Sequence, residues 1–470
     1  MTCKSFAIEL PWLWSPEEWF ASVRGEHRPF LFESGLEHPQ TGRWSFVGCN
    51  PFLTFESRGD EILIEKEGRR DEVRGDPVCV LSNYLARYHA MKVPAGLPTA
   101  GGAFGFFSYD LGRRFERLPA LAVDDLGVPD IALGFYDEVV LFDHCRKKVY
   151  LGVTVFDSSS PRGEREDILE RARVWTERKK ELRPGSFRIL GSPKALVTAE
   201  EFKKGVRRAL DYIAQGDIFQ VNLSQRFEAP YEGDPFSLYM ALKKINPSPF
   251  GGFLDWGDVV LASASPERLV SWDGERAKTR PIAGTYPRGR DAAQAVANRE
   301  ALILDPKERA EHLMLVDLER NDLGRVSEFG TVHVSELMAL EEYSHVIHIV
   351  SQVEARTRPG TGPLDLVRAL FPGGTITGTP KIRAMEIIEE IEPVRRGVYT
   401  GSMGYLSFSG GMDLNIIIRT FVLKGGRAFI QTGAGIVADS DPDREYLETM
   451  HKGRALFEAL ERSREPAAVI

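Results

Sequence analysis

The sequence has few of the features that mark secreted or membrane proteins. Its 470 residues include four cysteines, and Cys3, Cys49, Cys79 and Cys145 form no CxxC pair. Such sparse cysteine argues against a disulfide framework or a zinc site, so we expect free thiols and a cytoplasmic protein. No apolar run approaches the ~18 residues of a membrane span, and the N-terminal segment has no long apolar core of a signal peptide.

An excess of positive charge is also absent, since the net charge is -8. That balance argues against nucleic acid and against an anionic membrane as partners. Hydrophobic residues make up 43% of the chain and charged residues 27%, which is the composition of a globular protein with a substantial core.

The distribution of residue types along the sequence divides the chain into three parts. Residues 1–155 consist of short β-rich runs between turn signals. Residues 157–195 are charged and polar around one surface helix, and we predict a linker there. Residues 196–462 alternate longer helices with strands, and they begin with a helix that Thr198 and Glu201 start as a capping box. Within this part, "GGFLDWGDVVLASASPERLVSW" is predicted to form a hairpin. The predicted fold class is mixed α/β (α+β).

Two predicted helices begin with Asp-Pro, at Asp305 and at Asp441, and each carries glutamates three residues apart on one face. Four carboxylates without interleaved histidine or cysteine suit a hard cation such as Mg²⁺. Two simpler readings stay open, because the first glutamate could complete a capping box and the last could pair with Lys452. The four glutamates are Glu308, Glu311, Glu445 and Glu448.

Two glycine-rich segments could expose backbone N–H groups to a ligand. "FPGGTITGTPK" is not a Walker A motif, because Thr379 stands where lysine is required, yet a helix opens at Pro380. This segment predicts either a carboxylate or phosphate site or a tight turn. In "IQTGAGIVADS" the alternative to ligand contact is a bulged turn. His345 and His348 lie in an apolar run, which favours structural roles.

No GxSxG or GxCxG elbow is present, and no cysteine lies in a nucleophile-like turn. The sequence therefore predicts no covalent hydrolysis of amides.

Taken in order, "SPERL", "RPIAGT", "MLVDLERNDLGR", "YSHVIHIVS", "PGGTITGTPKIRAMEIIEEIEP", "GSMGYLSFSGGMD" and "GAGIVADS" resemble the chorismate-utilising enzymes. That family includes anthranilate synthase component I, aminodeoxychorismate synthase component I and the isochorismate and salicylate synthases. The likeness is strongest over residues 195–460 and weaker in the N-terminal part. It implies a large β-sandwich-like core of two sheets with helices outside, a Mg²⁺ ion, and chorismate as substrate.

The resemblance also implies roles for individual residues. Glu311 and Glu448 resemble direct Mg²⁺ ligands, with Glu308 and Glu445 acting through water, and Glu267 resembles the general acid for the C4 hydroxyl. The enolpyruvyl carboxylate would be bound by an arginine fork, a tyrosine and backbone N–H groups. The remaining positions that match are Tyr399, Arg419, Gly433, Ala434, Gly435, Lys452, His348, Thr375 and Thr285.

Gln220 bears on the nucleophile. Isochorismate and salicylate synthases carry lysine at the matching position, where it can activate water, whereas an amide is not a base at working pH. Ammonia is therefore the expected nucleophile. Because the sequence has no glutaminase residues, the ammonia is expected from a separate glutamine amidotransferase subunit.

Ala283 bears on the position of amination. Many aminodeoxychorismate synthases have lysine there, so alanine alone favours anthranilate synthase. "QVNLSQRF", "TITGTPKIRAMEII", "GSMGYLSFSG" and "NPSPFGGFL" resemble aminodeoxychorismate synthase more closely, and we favour amination at C4 over C2. The resemblance further implies a tryptophan pocket, in which Phe250-Gly251-Gly252 removes large side chains; its candidate residues are Glu33, Ser34, Pro247 and Phe250.

Overall fold

The computed structural model describes residues 3–35, 41–90, 93–94, 96–156, 161–179, 181–182, 185–289, 291–342 and 346–463. The side chains at positions 161, 162, 285 and 292 are outside this description, as is His345. Within these ranges, strands form two large antiparallel sheets and helices pack against their outer faces. The predicted α/β class with a two-sheet core is confirmed.

The strands of the described ranges are numbered in chain order. They are β1 Cys3–Leu10, β2 Phe30–Glu33, β3 Trp44–Gly48, β4 Leu53–Arg58, β5 Glu61–Lys66, β6 Arg69–Arg74, β7 Gly102–Phe107, β8 Ile131–Tyr136, β9 Glu138–Asp143, β10 Lys148–Phe156, β11 Phe187–Ile189, β12 Lys194–Ala195, β13 Gln220–Gly233, β14 Phe250–Asp255, β15 Val259–Ser265, β16 Arg268–Trp272, β17 Arg276–Arg280, β18 Ile282–Pro287, β19 His333–Glu342, β20 Val346–Arg356, β21 Gly378–Thr379, β22 Ser402–Ser407, β23 Met412–Asn415, β24 Thr420–Lys424 and β25 Arg427–Ile436.

The α-helices are numbered in the same way. They are α1 Pro16–Ala21, α2 Pro77–Arg87, α3 Pro161–Glu177, α4 Ala199–Ala214, α5 Pro235–Ile245, α6 Ala292–Leu304, α7 Pro306–Gly324, α8 Pro363–Leu370, α9 Lys381–Ile391 and α10 Pro442–Arg462.

The two sheets each take strands from both ends of the chain. The first runs in the order β1-β10-β9-β3-β2-β14-β15-β24-β25-β13-β11, with β12 and β21 also paired to β13. The second runs β18-β20-β17-β16-β23-β22-β7-β8-β4-β5-β6, with β19 paired to β20. Residues 1–155 therefore share both sheets with residues 196–462. The predicted surface helix of the linker is α3.

Aromatic side chains from both sheets fill the space between them. Phe30 of the first sheet stacks on Phe104 of the second, with ring centroids 4.6 Å apart and planes 20° apart. Phe46 and Tyr405 make a similar pair across the sheets at 5.1 Å. Such pairs add about 0.5–1.5 kcal/mol each beyond the area that they bury. Two further cores lie between the outer faces of the sheets and the helices.

Local sequence signals placed several helix starts correctly. Thr198 and Glu201 form the predicted capping box of α4. Asp305 caps α7, because its side chain accepts hydrogen bonds from the backbone N–H groups of Lys307 and Glu308. Its own backbone N–H, however, donates to the carbonyl of Leu302 and not to the side chain of Glu308. The capping box predicted at Glu308 is therefore wrong, because the glutamate side chain is directed elsewhere.

The hairpin predicted over "GGFLDWGDVVLASASPERLVSW" forms only in the first half of this stretch. β14 and β15 pair in antiparallel register. The chain then crosses from the first sheet to the second, where β16 pairs with β17 and β23. No helix in the described ranges is long and apolar enough to cross a membrane.

Candidate active site

Glu267 lies at the point where the chain passes from one sheet to the other, between β15 and β16. Its side chain is buried. One carboxylate oxygen, Oε1, accepts a hydrogen bond from Oγ1 of Thr375 at 2.8 Å and a longer one from the backbone N–H of Ile282 at 3.4 Å. Burial raises the pKa of Glu267 to about 8, so the carboxyl can hold a proton at neutral pH. A buried, protonated carboxyl of this kind can act as a general acid.

The four glutamates proposed as metal ligands lie on α7 and α10 and influence one another electrostatically. Burial, followed by the charge of Glu311, raises the pKa of Glu308. Burial also raises the pKa of Glu311, with a further contribution from Glu448. The pKa of Glu445 is raised by burial and by Glu448. A bound cation would relieve this repulsion.

These side chains fit a hard cation by their chemistry. All their donors are carboxylate oxygens, which Mg²⁺ prefers. Oε2 of Glu445 is buried and has no hydrogen-bond partner among the described residues, while Oε1 accepts from Ser440. Within the described ranges, however, no three His, Cys, Asp or Glu side chains converge as a preformed metal cluster. Glu448 instead forms an ion pair with Lys452, 2.7 Å apart, which is the simpler reading considered for the sequence.

The charge of Lys452 acts on residues of both the helices and the sheets. Its charge favours the ionised forms of Glu267 and Glu311 and lowers the pKa of His348. These side chains come from the crossover after β15, from α7, from β20 and from α10. The structure thus brings four separate segments of the predicted site into one electrostatic environment.

Gln220, at the start of β13, contacts a proposed metal ligand directly. Its Nε2 donates to Oε1 of Glu311 at 3.0 Å, and its buried Oε1 has no partner within the described residues. Gly435 on the neighbouring strand makes room for this amide, because a Cβ atom there would lie 2.7 Å from Nε2. The amide is therefore fixed by a carboxylate on one side and leaves an acceptor free on the other.

The glycines of β25 face the space between the sheets. A Cβ atom on Gly433 would lie 2.5 Å from Oδ1 of Asn222 and 3.0 Å from the hydroxyl of Tyr399. Ala434, in contrast, is buried on the opposite face among the apolar residues of α4 and α9. The side chain of Ala434 is thus directed away from the site, as the two-residue period of a strand requires.

A cationic side chain lies close to the same face. The charge of Arg419 favours ionisation of Tyr399, although burial raises the pKa of that tyrosine overall. Arg419 also lowers the pKa of His348, for which burial is the larger cause, to about 4. His348 is therefore neutral at working pH, and its Nδ1 is 3.2 Å from the carbonyl of Gly284.

The loop that carries Ala283 forms the edge of the second sheet. Ala283 pairs with Ile349 and the backbone of Thr285 pairs with His348, while the Thr285 side chain is outside the described residues. Between them Gly284 has a φ of +66°, and a Cβ atom there would lie 3.0 Å from Oε2 of Glu308. This part of the loop therefore approaches one of the proposed metal residues.

The tryptophan-pocket candidates lie where β2 meets β14. A cavity of about 100 Å³ is lined by Glu33 and Phe250, together with Arg268 and Met403 among others. The Arg268 guanidinium lies over the Phe250 ring, 4.9 Å from its centroid, and forms a bidentate pair with Asp413.

The other two candidates, Ser34 and Pro247, are next to a backbone hydrogen bond from Gly35 to Ser248 of 2.8 Å. Glu33 itself is buried and accepts hydrogen bonds from Tyr239 and Lys243. Glu33 is therefore already paired.

Two polar residues near the site were not among the sequence candidates. Asn222 has a buried Oδ1 without a partner in the described residues, and its position two residues after Gln220 on a strand could have indicated a shared face. Glu319 is buried on α7, and its charge acts on Glu267. It lies 8 and 11 residues after Glu311 and Glu308, close to whole helical turns, so periodicity could have indicated it.

The sequence matches the family model of the chorismate binding enzymes over residues 34–458. It is 47% identical to anthranilate synthase component 1 of Thermus thermophilus over 438 residues, which cover 92% of each chain. It is 41% identical to aminodeoxychorismate synthase component 1 of Bacillus subtilis, with 92% of this chain and 93% of that protein covered.

The structure is similar to that of anthranilate synthase component I from Streptococcus pneumoniae. The TM-score is 0.75 at 36% identity, over 90% of this chain and 93% of the other.

Proposed function

This chain belongs to the family of chorismate binding enzymes, and we propose that it aminates chorismate with ammonia at C4 to give 4-amino-4-deoxychorismate. The observation that carries the amination is the contact between Gln220 and Glu311. A neutral amide lies beside a proposed metal ligand, at the position where a base would be needed to activate water. Ammonia needs no such base, because it is already a nucleophile.

Four carboxylates are proposed to bind Mg²⁺. Glu311 and Glu448 would be direct ligands, and Glu308 and Glu445 would act through water. When bound, Mg²⁺ would neutralise the ring carboxylate of chorismate and act as a Lewis acid for the departing hydroxyl. The mutual repulsion of these side chains supports this assignment, as does Oε2 of Glu445, which has no partner in the described part of the chain.

The proton for the departing C4 hydroxyl is proposed to come from Glu267. Thr375 and Ile282 hold one oxygen of its carboxyl group, so the other oxygen is available for the substrate. Burial keeps this group protonated at neutral pH. As ammonia forms the new bond to carbon C4, the bond from C4 to oxygen breaks, and the hydroxyl leaves as water after taking the proton of Glu267.

The enolpyruvyl carboxylate is proposed to bind at the inner face of β25. Tyr399 and Arg419 would contact it together with the backbone of Gly433 to Gly435, of which Ala434 contributes through its backbone alone. Lys452, near both Glu267 and Glu311, would balance the negative charge of the substrate. His348 and Thr285 would complete the wall of the site as neutral polar groups.

The ammonia is proposed to come from a separate glutamine amidotransferase subunit. Two relatives of this chain carry the designation component 1, which supports a protein that works with a second component.

Amination at C4 is supported by the segments that resemble aminodeoxychorismate synthase and by the cavity next to β14. At Phe250-Gly251-Gly252 the chain replaces large pocket residues by glycine, and Arg268 occupies the face of Phe250. A cavity of about 100 Å³ is small for an indole amino acid. We therefore propose that tryptophan is not a strong regulator of this enzyme.

Anthranilate synthase component I, with amination at C2 followed by loss of pyruvate, is the second candidate. Ala283 favours it, because no amine is available at that position to attack C2 ahead of ammonia. The 47% identity to the Thermus thermophilus anthranilate synthase component 1 also supports it.

The experiment that separates the two candidates incubates the purified chain with chorismate, Mg²⁺ and an ammonium salt. The proposal expects no anthranilate fluorescence, and 4-aminobenzoate only after a separate aminodeoxychorismate lyase is added. Anthranilate formed by the chain alone would refute amination at C4 and establish the second candidate. Absence of any aminated product, with chorismate intact, would refute both.

A further inference from the structure

Glu319 lies on α7, eight residues after the proposed metal ligand Glu311. Its side chain is buried, and it is one of the charges that act on Glu267. Nothing in the proposed chemistry uses it directly. Burying a carboxylate costs free energy unless its hydrogen bonds are satisfied, so the hydrogen-bond partners of Glu319 indicate which segments it stabilises.

The Glu319 carboxylate joins two segments that are distant in the sequence. Oγ1 of Thr279, on β17, donates to its Oε2 at 2.9 Å. Gly374, in the 3₁₀ turn Gly374–Ile376, is the other neighbour: a Cβ atom there would lie 3.4 Å from Oε1, and its backbone N–H favours the ionised carboxylate. Gly374 lies so close to α7 that a Cβ atom at this position would be 2.4 Å from the side chain of Leu318.

The same two segments supply the two donors to the Glu267 carboxylate that lie within the described residues. Ile282, whose N–H donates at 3.4 Å, follows Thr279 by three residues and is the first residue of β18. Thr375, whose Oγ1 donates at 2.8 Å, follows Gly374 directly. Glu319 thus anchors each segment immediately before the residue that holds Glu267.

We propose that Glu319 is a positioning residue for Glu267: it fixes the Thr279 and Gly374 segments so that Ile282 and Thr375 hold the carboxyl in place, and its negative charge helps Glu267 to retain its proton. The proposal rests on the general-acid role proposed for Glu267. Glu319 acts through these neighbours and does not touch the substrate.

The charges around the two carboxyl groups determine the direction of the effect. Glu267 faces Glu319 on α7 and Lys452 on α10. Glu319 faces Asp322 on its own helix and Lys381 on α9, which is 2.5 Å from Asp322 and 3.0 Å from the Leu370 carbonyl. Burial raises the pKa of Glu319, and the charge of Asp322 raises it further. Burial raises the pKa of Glu267, the Thr375 hydrogen bond lowers it, and the charge of Glu319 raises it.

Glu319→Gln tests the proposal, because it keeps the shape and one acceptor but removes the charge. The rate of chorismate consumption is measured against pH with Mg²⁺ present and with the concentration of free ammonia held constant. We expect kcat to fall and the loss of activity at high pH to begin on the order of one pH unit lower than in the unmodified enzyme. The KM for chorismate should remain unchanged, because no substrate contact is lost.

Glu389→Gln is the matched control. Glu389 is another buried glutamate that accepts hydrogen bonds from backbone N–H groups, those of Leu121 and Ala122, but it belongs to a different part of the structure. This variant should leave the high-pH limb unmoved. Thr279→Val serves as a second variant that keeps all charges and removes one anchor. It should lower kcat without moving the high-pH limb to lower pH.

An unchanged high-pH limb in Glu319→Gln, or an equal shift in Glu389→Gln, would overturn the proposal. If Glu319→Gln does not fold, unchanged kcat in Thr279→Val overturns it. The failure of the general-acid role would be seen separately. In that case Glu267→Gln would retain turnover and the high-pH limb of the unmodified enzyme, whatever Glu319→Gln does.

Discussion

Gln220 donates a hydrogen bond from its Nε2 to Oε1 of Glu311 over 3.0 Å. The two residues lie 91 positions apart, on β13 and α7. The contact orients the amide, so that its Oε1 is the acceptor left without a partner in the described part of the chain. A donor such as ammonia could satisfy this acceptor, whereas a glutamine cannot remove a proton from water.

Gln220→Lys should therefore change the nucleophile. A lysine next to Glu311 supplies a base, and a positioned general base contributes about 100-fold or more to a proton transfer. We expect a hydroxylated product of chorismate to appear and the aminated product to decline, as measured by chromatography of the reaction mixture.

Gln220→Leu is the matched control for this change. It removes the amide without introducing a base, so amination should fall while no hydroxylated product forms. Equal product ratios in Gln220→Lys and the unmodified enzyme would show that this residue does not select the nucleophile.

The pH dependence of turnover should reflect Glu267. Burial raises the pKa of its carboxyl to about 8, and a general acid is active only while protonated. Activity at constant free ammonia is thus expected below pH 8 and should fall as the pH rises through this value. Glu267→Gln should lose about 100-fold or more of kcat at neutral pH. A flat rate between pH 7 and 10 would contradict the assignment.

The proposed metal ligands can be tested on one helix. Glu448→Ala should lower turnover by about 100-fold or more and raise the Mg²⁺ concentration needed for half-maximal activity. Glu458→Ala, on the same helix α10, removes a carboxylate that pairs with Arg462 over 2.6 Å and should have little effect. If Glu448→Ala keeps a near-normal Mg²⁺ dependence, Glu448 is not a metal ligand and serves only in its ion pair with Lys452.

Ala283→Lys tests whether the space next to β18 governs the position of amination. A lysine here could attack C2 and direct ammonia to C4. Since C4 is already the proposed position of amination, Ala283→Lys should still give 4-amino-4-deoxychorismate and no anthranilate. Ala283→Met fills the same space without an amine and should not redirect products. The yields of anthranilate and 4-amino-4-deoxychorismate are measured for all three proteins. Anthranilate from the unmodified protein that gives way to 4-amino-4-deoxychorismate in Ala283→Lys would show instead that Ala283 sets amination at C2.

The sequence predicted features that depend on neighbouring residues. The capping box of Thr198 with Glu201 and the glutamate pairs of α7 and α10 arise from fixed helical spacing, so they were visible in the sequence. The inward face of Gly433 and Gly435 follows from strand alternation, and the same rule directs Ala434 outward. The family resemblance provided the residue roles, but not the contacts between them.

Contacts between distant segments could not be predicted from local patterns. Thr375 meets Glu267 across 108 residues, and Glu319 meets Thr279 across 40. These contacts depend on how the strands cross from one sheet to the other. The second half of the predicted hairpin is wrong for the same reason, since nothing in "SASPERLVSW" indicates that β16 leaves the first sheet. The helix start at Asp305 was predicted correctly, but Glu308 faces Gly284 instead of completing the cap.

The most direct measurement is the position of the new nitrogen in the product. The purified chain is incubated with chorismate, Mg²⁺ and isotope-labelled ammonium, and the product is analysed by NMR and mass spectrometry. The account predicts one labelled nitrogen on C4 of a ring that still carries its enolpyruvyl group, with no release of pyruvate. Label on C2 together with pyruvate, or incorporation of solvent oxygen without label, would contradict it.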